Sequence, residues 1–517
     1  MRSIYQSASQ TVVWLGPETK KTRRAFDLMQ GLYEDAVYKK IRPCAVNDES
    51  RADPASKRYL DDTTMVHVFM QPEWWLRVWT AQEILLARRA TIVSGPCQIS
   101  WDFFGTAVEH ANTFGVFKVV VLGVVPRSSA WMVDDIQSLQ RAPRLPNPAD
   151  ELLFYLLRTR ARDATDARDK IFAVLGLVSG NALDLGIQPD YGASFEDVYC
   201  EATRRLIVVS GNLDVLGLCY PFDDGRAANL PSWVSDWSSR GYLASPLMED
   251  AHGNRRQTHA SRNTAADPTW EDNGMTLVVE GHVVDAVTAV SVVQHRYDDD
   301  AVWDMSAWEA AGDSVPWYKD LRDAFSMLGK GLGNLPSMVS GHVASYIAWE
   351  EFVEKAQLTS PGSDNCDPMQ IYCSTLCAGT PAPAGHPETE ALFKVWFDQL
   401  DPIRQLKAWS LDKAEGLFNF MSLLGYMKST WSEYGEFVNY IGPSAERRLG
   451  ATERGHLCLL PKLAKPGDQL VILKGARVPA IVRPFDGWFE FIGEAYVHGI
   501  MNGELFDEGR CVKLRIR

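Results

Sequence analysis

Between residues 74 and 84 the chain places three indoles (Trp74, Trp75 and Trp79), one guanidinium (Arg77) and one carboxylate (Glu83). Trp75, Trp79 and Glu83 follow one another at four-residue spacing. On an α-helix that spacing stacks them on one face, so that two rings wall a single acid. Such a wall does one of two things. It buries itself as core, or it raises the proton affinity of the acid and shapes a pocket for a flat ligand.

Other groupings carry less chemistry. The chain has no Gly-x-Ser-x-Gly elbow, no His-Glu-x-x-His, no phosphate-binding P-loop and no calcium loop. Gly329, Gly331 and Gly333 depart from dinucleotide spacing and read as a helix stop. Asp298, Asp299 and Asp300 lack the glycine turn and bidentate Glu of a calcium site, and read as a solvated turn. Cys373 and Cys377 lie one helical turn apart and can meet a metal with His386, but a fourth zinc ligand is missing and an apolar helix face suits them better. No metal site is expected. His498 and Glu504 flank the turn-forming Asn502-Gly503, where a buried, hydrogen-bonded histidine is the simpler account.

Composition narrows the function further. A chain of 517 residues, 46% apolar and 23% charged, is globular and long enough for several domains. A formal charge of −14 argues against a generic nucleic-acid or anionic-membrane binder. Lys20-Lys21 and Arg23-Arg24 are the clearest basic patch, and a solvated helix face explains them first. Nine scattered cysteines without a Cys-x-x-Cys pair read as reduced thiols. The longest apolar run, 119–125, is too short for a membrane span, and no signal core is present. A cytoplasmic protein is expected.

The elements that must hold these residues follow from periodicity. Val12-Val13-Trp14-Leu15 reads as a strand stopped by Gly16-Pro17, 22–38 as an amphipathic helix, 47–57 as a polar loop and 90–94 as a second strand. Residues 100–212 read as mainly helical, with Asp166 and Asp169 capping a helix that ends near Gly176, and Ser194 and Asp197 opening another. Residues 248–268 read as an exposed linker or loop. From 277 to 290 the pattern predicts a strand, a turn at Gly281 and a second strand. Helices return over 303–440, interrupted at 360–366 and 380–387, before hairpins over 469–473, 480–484 and 488–493 suggest a small barrel or sheet.

Several of these segments together resemble the fungal heterokaryon-incompatibility (HET) domain. They are the first sixteen residues through Val12-Val13-Trp14-Leu15-Gly16, the run 74–84, then Asp169-Lys170-Ile171-Phe172-Ala173-Val174-Leu175-Gly176-Leu177 and Pro189-Asp190-Tyr191. Leu230-Pro231-Ser232-Trp233 with Asp236-Trp237-Ser238, and the stretch Tyr496-Val497-His498-Gly499 to Glu504, look like segments that recur downstream of that domain. HET domains begin with a Tyr-x-x-Leu-Ser-Tyr-x-Trp-Gly strand and a Trp-Ile-Asp-x-x-Cys-Ile-Asn-Gln strand, and neither is present here. The resemblance therefore implies an N-terminally incomplete domain.

What the resemblance implies about fold is α/β. It predicts an incomplete Toll-receptor-like (TIR-like) parallel-sheet domain with a helical extension over 1–240, a mixed strand and mainly helical middle over 241–450, and a small β-rich module over 451–517. For function it implies nonself recognition and programmed-cell-death signalling through self-association or a protein partner. A Trp-rich apolar face left uncovered by the missing strands would be the surface seeking that partner. The alternative, from the likeness to TIR domains, is NAD hydrolysis. There the Trp79-Thr-Ala-Gln-Glu83-Ile84 spacing matches the helix whose acid cleaves the nicotinamide bond, so the role maps onto Glu83. A fixed carboxylate would stabilise positive charge developing on the sugar, with Trp75 or Trp79 stacking on a base and Arg77 meeting the diphosphate. NAD is then a substrate and no cofactor is expected.

Overall fold

The computed structural model of the chain describes residues 2–39, 68–69, 73–113, 145–179, 185–220, 229–239, 244–249, 257–294, 335–356, 358, 367–381, 388–398, 437 and 440–517. The expectations for 47–57, 119–125, 298–300, 303–334, 360–366, 382–387 and 401–436 lie outside those residues. The chain divides into two compact units, one of residues 1–146, 154–182 and 298–337, the other of 147–153, 183–297 and 338–517.

In the first unit the helix α1 (Arg2–Ser7) precedes β1 (Thr11–Trp14). β1 runs parallel to β2 (Ala90–Ser94), in register from Thr11↔Ala90 to Trp14↔Val93. Gly95, at φ +53°, then turns the chain into the antiparallel β3 (Cys97–Ser100). A parallel pair requires a crossover, and α2 (Thr22–Glu34) lies in it with Ala25, Phe26, Met29 and Leu32 buried at helical spacing. Two further helices, α3 (Thr80–Leu85) and α4 (Trp101–Thr113), follow on either side of β2 and β3. Val13, Met29, Phe69, Trp75, Ile92 and Phe104 form the centre of this unit's core. Burial of each such side chain contributes about 1.5–3 kcal/mol relative to exposure.

The helix α5 (Pro148–Thr159) is divided between the units, and α6 (Asp169–Leu175) belongs to the first. The expected capping is not made: Asp166 Oδ1 accepts the Arg168 amide at 3.0 Å just ahead of the helix, and the helix start carries no side-chain cap. Asp169 sits inside the first turn. Its carboxylate accepts instead from a side chain ninety positions away, described below.

In the second unit α7 (Phe195–Ser210) opens on the predicted box, with the Asp197 amide donating to Ser194 Oγ at 3.1 Å and the Ser194 hydroxyl donating to Asp197 Oδ2 at 2.7 Å. Gly211 closes it at φ +67°, a conformation that glycine adopts without a Cβ clash. Sheet structure begins at β4 (Thr269–Glu271) and β5 (Thr276–Gln294). β5 is one continuous strand, not the strand, turn and strand predicted there. Its first part pairs with β12 (Val512–Ile516) and its middle with β8 (Gln469–Leu473), Gly281 standing opposite both Val512 and Leu473. A Cβ at Gly281 would approach Leu473 Cδ2 to 2.8 Å and Leu514 Cδ1 to 3.1 Å, so glycine serves here to let two strands converge on a third.

From β8 the sheet passes to β9 (Ala480–Phe485) and β10 (Trp488–Glu494), which meets β12 at Phe489↔Ile516. The ladder β5-β8-β9-β10-β12 thus returns to β5 and closes a small barrel. The far end of β5 continues into β6 (Arg447–Thr452), β7 (Leu457–Pro461) and β11 (Tyr496–Val497). Val284, Leu470, Ile472, Ile481 and Ile492 are among the residues buried within it. The helices α8 (Leu335–Lys355), α9 (Pro368–Leu376) and α10 (Thr389–Asp398) contribute Tyr346, Trp349, Tyr372, Phe393 and Trp396 to an adjoining core that includes Leu449 and Leu457. Cys373 and Cys377 are buried in that core, as an apolar helix face would place them.

Of the two readings for 248–268, the described stretch 257–268 is a loop, and it is held to the barrel. The amides of His259 and Ala260 donate to Met501 O at 3.0 Å and Arg477 O at 2.9 Å, and Ser261 Oγ to Ala476 O at 2.7 Å, pinning this polar stretch to the barrel through its backbone. The architecture is therefore mixed α/β with a C-terminal barrel-like module. Among the described residues no helix is long and apolar enough to cross a membrane.

Candidate functional site

The segment that carries Glu83 is not one helix. Residues Glu73–Leu76 form a 3-10 turn, Arg77 makes a parallel β-bridge with Asp163, and only from Thr80 does α3 begin. The reason is nonlocal. The Val78 amide donates to Asp163 O at 2.9 Å and the Asp163 amide to Leu76 O, so backbone groups that a helix would use internally are taken by a distant, non-strand segment.

That break separates the residues the sequence had stacked. Trp75, 0% exposed, lies in the core of the first unit with its ring stacked on Phe104 at 5.8 Å and tilted against Trp101 at 5.9 Å. No face of it is open to a ligand, and the Trp-rich segment is not the bare apolar surface expected of it. Trp79, half-buried, donates its Nε1–H to Asp169 Oδ2 at 3.0 Å. Arg77 is exposed.

Glu83 is half-buried and gathers different partners. Trp74 Nε1 donates to its Oε2 at 3.0 Å. Tyr5, on α1, lies beside the same carboxylate. Burial, and then the Glu83 charge and hydrogen bond, push the Tyr5 phenol above its ordinary value, while Arg77 pulls it the other way. The structure thus brings Glu83 and Arg77 together around Tyr5 and Trp74, sets Trp79 on Asp169, and withdraws Trp75.

A second set of side chains holds this segment in place. Arg162, buried, donates to Trp75 O at 2.6 Å and to Thr80 Oγ1 at 3.3 Å. Lys170, also buried, donates to Arg160 O at 2.8 Å and to Arg162 O. Gln82 Nε2 reaches Ala173 O at 2.5 Å, and its amide fills the space where a Cβ at Gly176 would stand. Sequence reasoning missed Tyr5, Trp74, Arg162 and Lys170 as parts of the site. The one available signal was the placing of Asp169-Lys170 beside an apolar helix, which reads locally as capping. Chemically the arrangement presents an oriented carboxylate with a cation nearby, able to stabilise positive charge that develops in front of it.

In the second unit His498 Nδ1 lies 3.4 Å from the Tyr496 hydroxyl, while Glu504 turns back to accept the Asn502 amide at 2.7 Å. The most buried ion pair described there joins Arg447 Nη2 to Glu494 Oε1 at 2.8 Å, with Arg447 also donating to Ser245 O. The Leu247 amide donates to the same Glu494 oxygen. This pair fastens the 245–247 segment to β6 and β10.

Comparison with known proteins agrees with the sequence resemblance. Residues 1–83 match the family described as heterokaryon incompatibility protein (HET), and residues 422–512 match the Het-6 beta-barrel domain. The heterokaryon incompatibility protein 6, OR allele, of Neurospora crassa is 23% identical over 98% of this chain and 78% of its own length. No solved structure matches the chain. With a HET match ending at Glu83 and a Het-6 barrel match spanning most of the last strands, the chain is similar to heterokaryon incompatibility proteins towards both of its ends.

Proposed function

We propose that this protein acts in the fungal cytoplasm in nonself recognition, triggering programmed cell death by associating with another protein. The relative's name, heterokaryon incompatibility protein 6, supports the role. The observation that carries the mechanism is the outward face of β1, where Val12 is 57% and Trp14 53% exposed. An indole and a valine left in water on one strand of a small sheet are what an association surface requires. Expression in fungal strains of differing genetic background tests this: growth arrest is expected in some backgrounds and not others, and is expected to survive Glu83→Gln. Equal growth in every background removes the reading.

A second reading is favoured by the geometry at Glu83. A carboxylate oriented by Trp74, with Tyr5 and Arg77 nearby, suits cleavage of the nicotinamide–ribosyl bond of NAD in a TIR-like site. Glu83 would face the developing cation, Trp79 would offer a ring to a base and Arg77 a charge to the diphosphate; Trp75 would serve from within the core as support. Incubating the purified chain with NAD and measuring free nicotinamide decides it. Release that disappears in Glu83→Gln supports hydrolysis, and no release above the protein-free control removes it.

A further inference from the structure

The β6–β7 hairpin closes where β5 hands its pairing from β8 to β6: Ala286 stands opposite Gln469 of β8, and Val287 opposite Thr452 of β6. The tip of the hairpin, residues 452–456, is tied down in two ways. On β5, Ala286 O accepts the Glu453 amide at 3.0 Å and Asp285 Oδ2 accepts the Arg454 amide at 3.3 Å. Within the tip, Thr452 N–H donates to His456 O at 3.2 Å, Gly455 N–H to Thr452 O at 2.9 Å and His456 N–H to Thr452 Oγ1 at 3.1 Å. His456 therefore closes the hairpin through both its N–H and its C=O.

The side chain of the same residue is not so well satisfied. His456 is 5% exposed, and its Nδ1 is sealed from solvent with no hydrogen-bond partner among the described residues. Buried polar atoms of folded chains are nearly always bonded, so an orphan of this kind is rare. An imidazolium in the same place would carry an N–H at Nδ1 with nothing to accept it, a desolvated donor and a desolvated charge together. Two charged groups act on the ring: Asp285 on β5 favours the proton, and Arg454 on the tip opposes it. Burial outweighs the carboxylate and holds the imidazole below its ordinary value. Cys458 on β7, fully buried, donates its thiol to His456 O at 3.6 Å, and burial together with Asp285 keeps that thiol protonated.

We propose that His456 is a proton-operated latch on the β6–β7 hairpin: neutral, it lies buried and the tip stays on β5; protonated, it moves to water and takes residues 452–456 off β5. The movement reaches the backbone because the residue that carries the ring also closes the hairpin. The open tip, with its imidazole in water, takes the proton near about pH 6.5 and the closed tip only at lower pH. Each step down from about pH 6.5 therefore favours opening, until the closed form titrates as well. Every group involved lies in the second unit, so the latch requires neither Glu83 nor the face of β1.

Hydrogen–deuterium exchange on the full chain at about pH 7.5 and about pH 5.5, corrected for the intrinsic pH dependence of amide exchange, tests the latch. Protection of the Glu453, Arg454, Gly455 and His456 amides is expected to fall at least about threefold at the lower pH, relative to the Ile481 and Val482 amides of β9. In His456→Gln that fall is expected to disappear. If His456→Gln melts early at neutral pH, His456→Phe takes its place, filling the same space with a ring that binds no proton. Tip protection that does not change with pH, or that falls equally in these variants, overturns the latch. A fall shared by the β9 amides overturns it in favour of unfolding of the whole barrel. A rise in tip protection at the lower pH overturns it in the other direction, since the imidazolium then pairs with Asp285 and tightens the tip.

Discussion

Two indoles four residues apart do different work, and a pair of substitutions separates them. Trp75 is enclosed by Trp74, Trp101 and Phe104, so Trp75→Ala leaves a cavity in an aromatic cluster and is expected to cost about 3–5 kcal/mol. Trp79→Phe keeps a ring but deletes the donor to Asp169, a charge-assisted bond whose loss costs about 1.5–3 kcal/mol. Denaturant titration measures both. If Trp79 also stacks on a base, Trp79→Phe would retain nicotinamide release while losing stability; equal costs for the two variants would mean that the contrast in burial is unimportant. From sequence alone the two residues were indistinguishable, because helical spacing put them on one face. What distinguishes them is the Arg77–Asp163 bridge, a pairing across more than eighty positions that no local pattern records.

At the scale of elements, legibility follows the range of the interaction that defines each boundary. Ser194 and Asp197 were readable because a capping box is complete within four residues. The strands β1, β2, β8, β9 and β10 were readable because turn glycines punctuate them. β5 was misread because Gly281 has the chemistry of a turn and the surroundings of a strand. Its missing side chain admits Leu473 and Leu514, which come from strands far along the chain. Gly281→Ala is therefore expected to destabilise the barrel by about 1–3 kcal/mol through overpacking, not through backbone strain. An accompanying Leu473→Ala, which clears the closest contact, is expected to recover part of that loss relative to the sum of the single variants. Strict additivity in denaturant titrations would show that the convergence on Gly281 is looser than the distances indicate.

Each unit of the molecule carries histidine in a setting that resists charge, and this gives the whole chain a common response to acid. Burial holds His110 of the first unit below its ordinary value, with Asp35 pulling the other way. In the second unit burial lowers His456, opposed by Asp285 and reinforced by Arg454, and burial lowers His498. A histidine depressed in the folded state adds nothing to the pH dependence well above its unfolded value near about pH 6.5, where both states are neutral. As pH falls below that value the unfolded chain takes up the proton first, so stability declines until the folded imidazoles also protonate. The urea midpoint is expected to decline through these groups as pH falls below about 6.5. His456→Gln should make the decline shallower by at most one proton's worth, since its backbone amide bond to Thr452 Oγ1 at 3.1 Å does not depend on the imidazole. A midpoint flat below about pH 6.5, or a slope unchanged in His456→Gln, would mean that buried histidine does not set the acid limit of the fold.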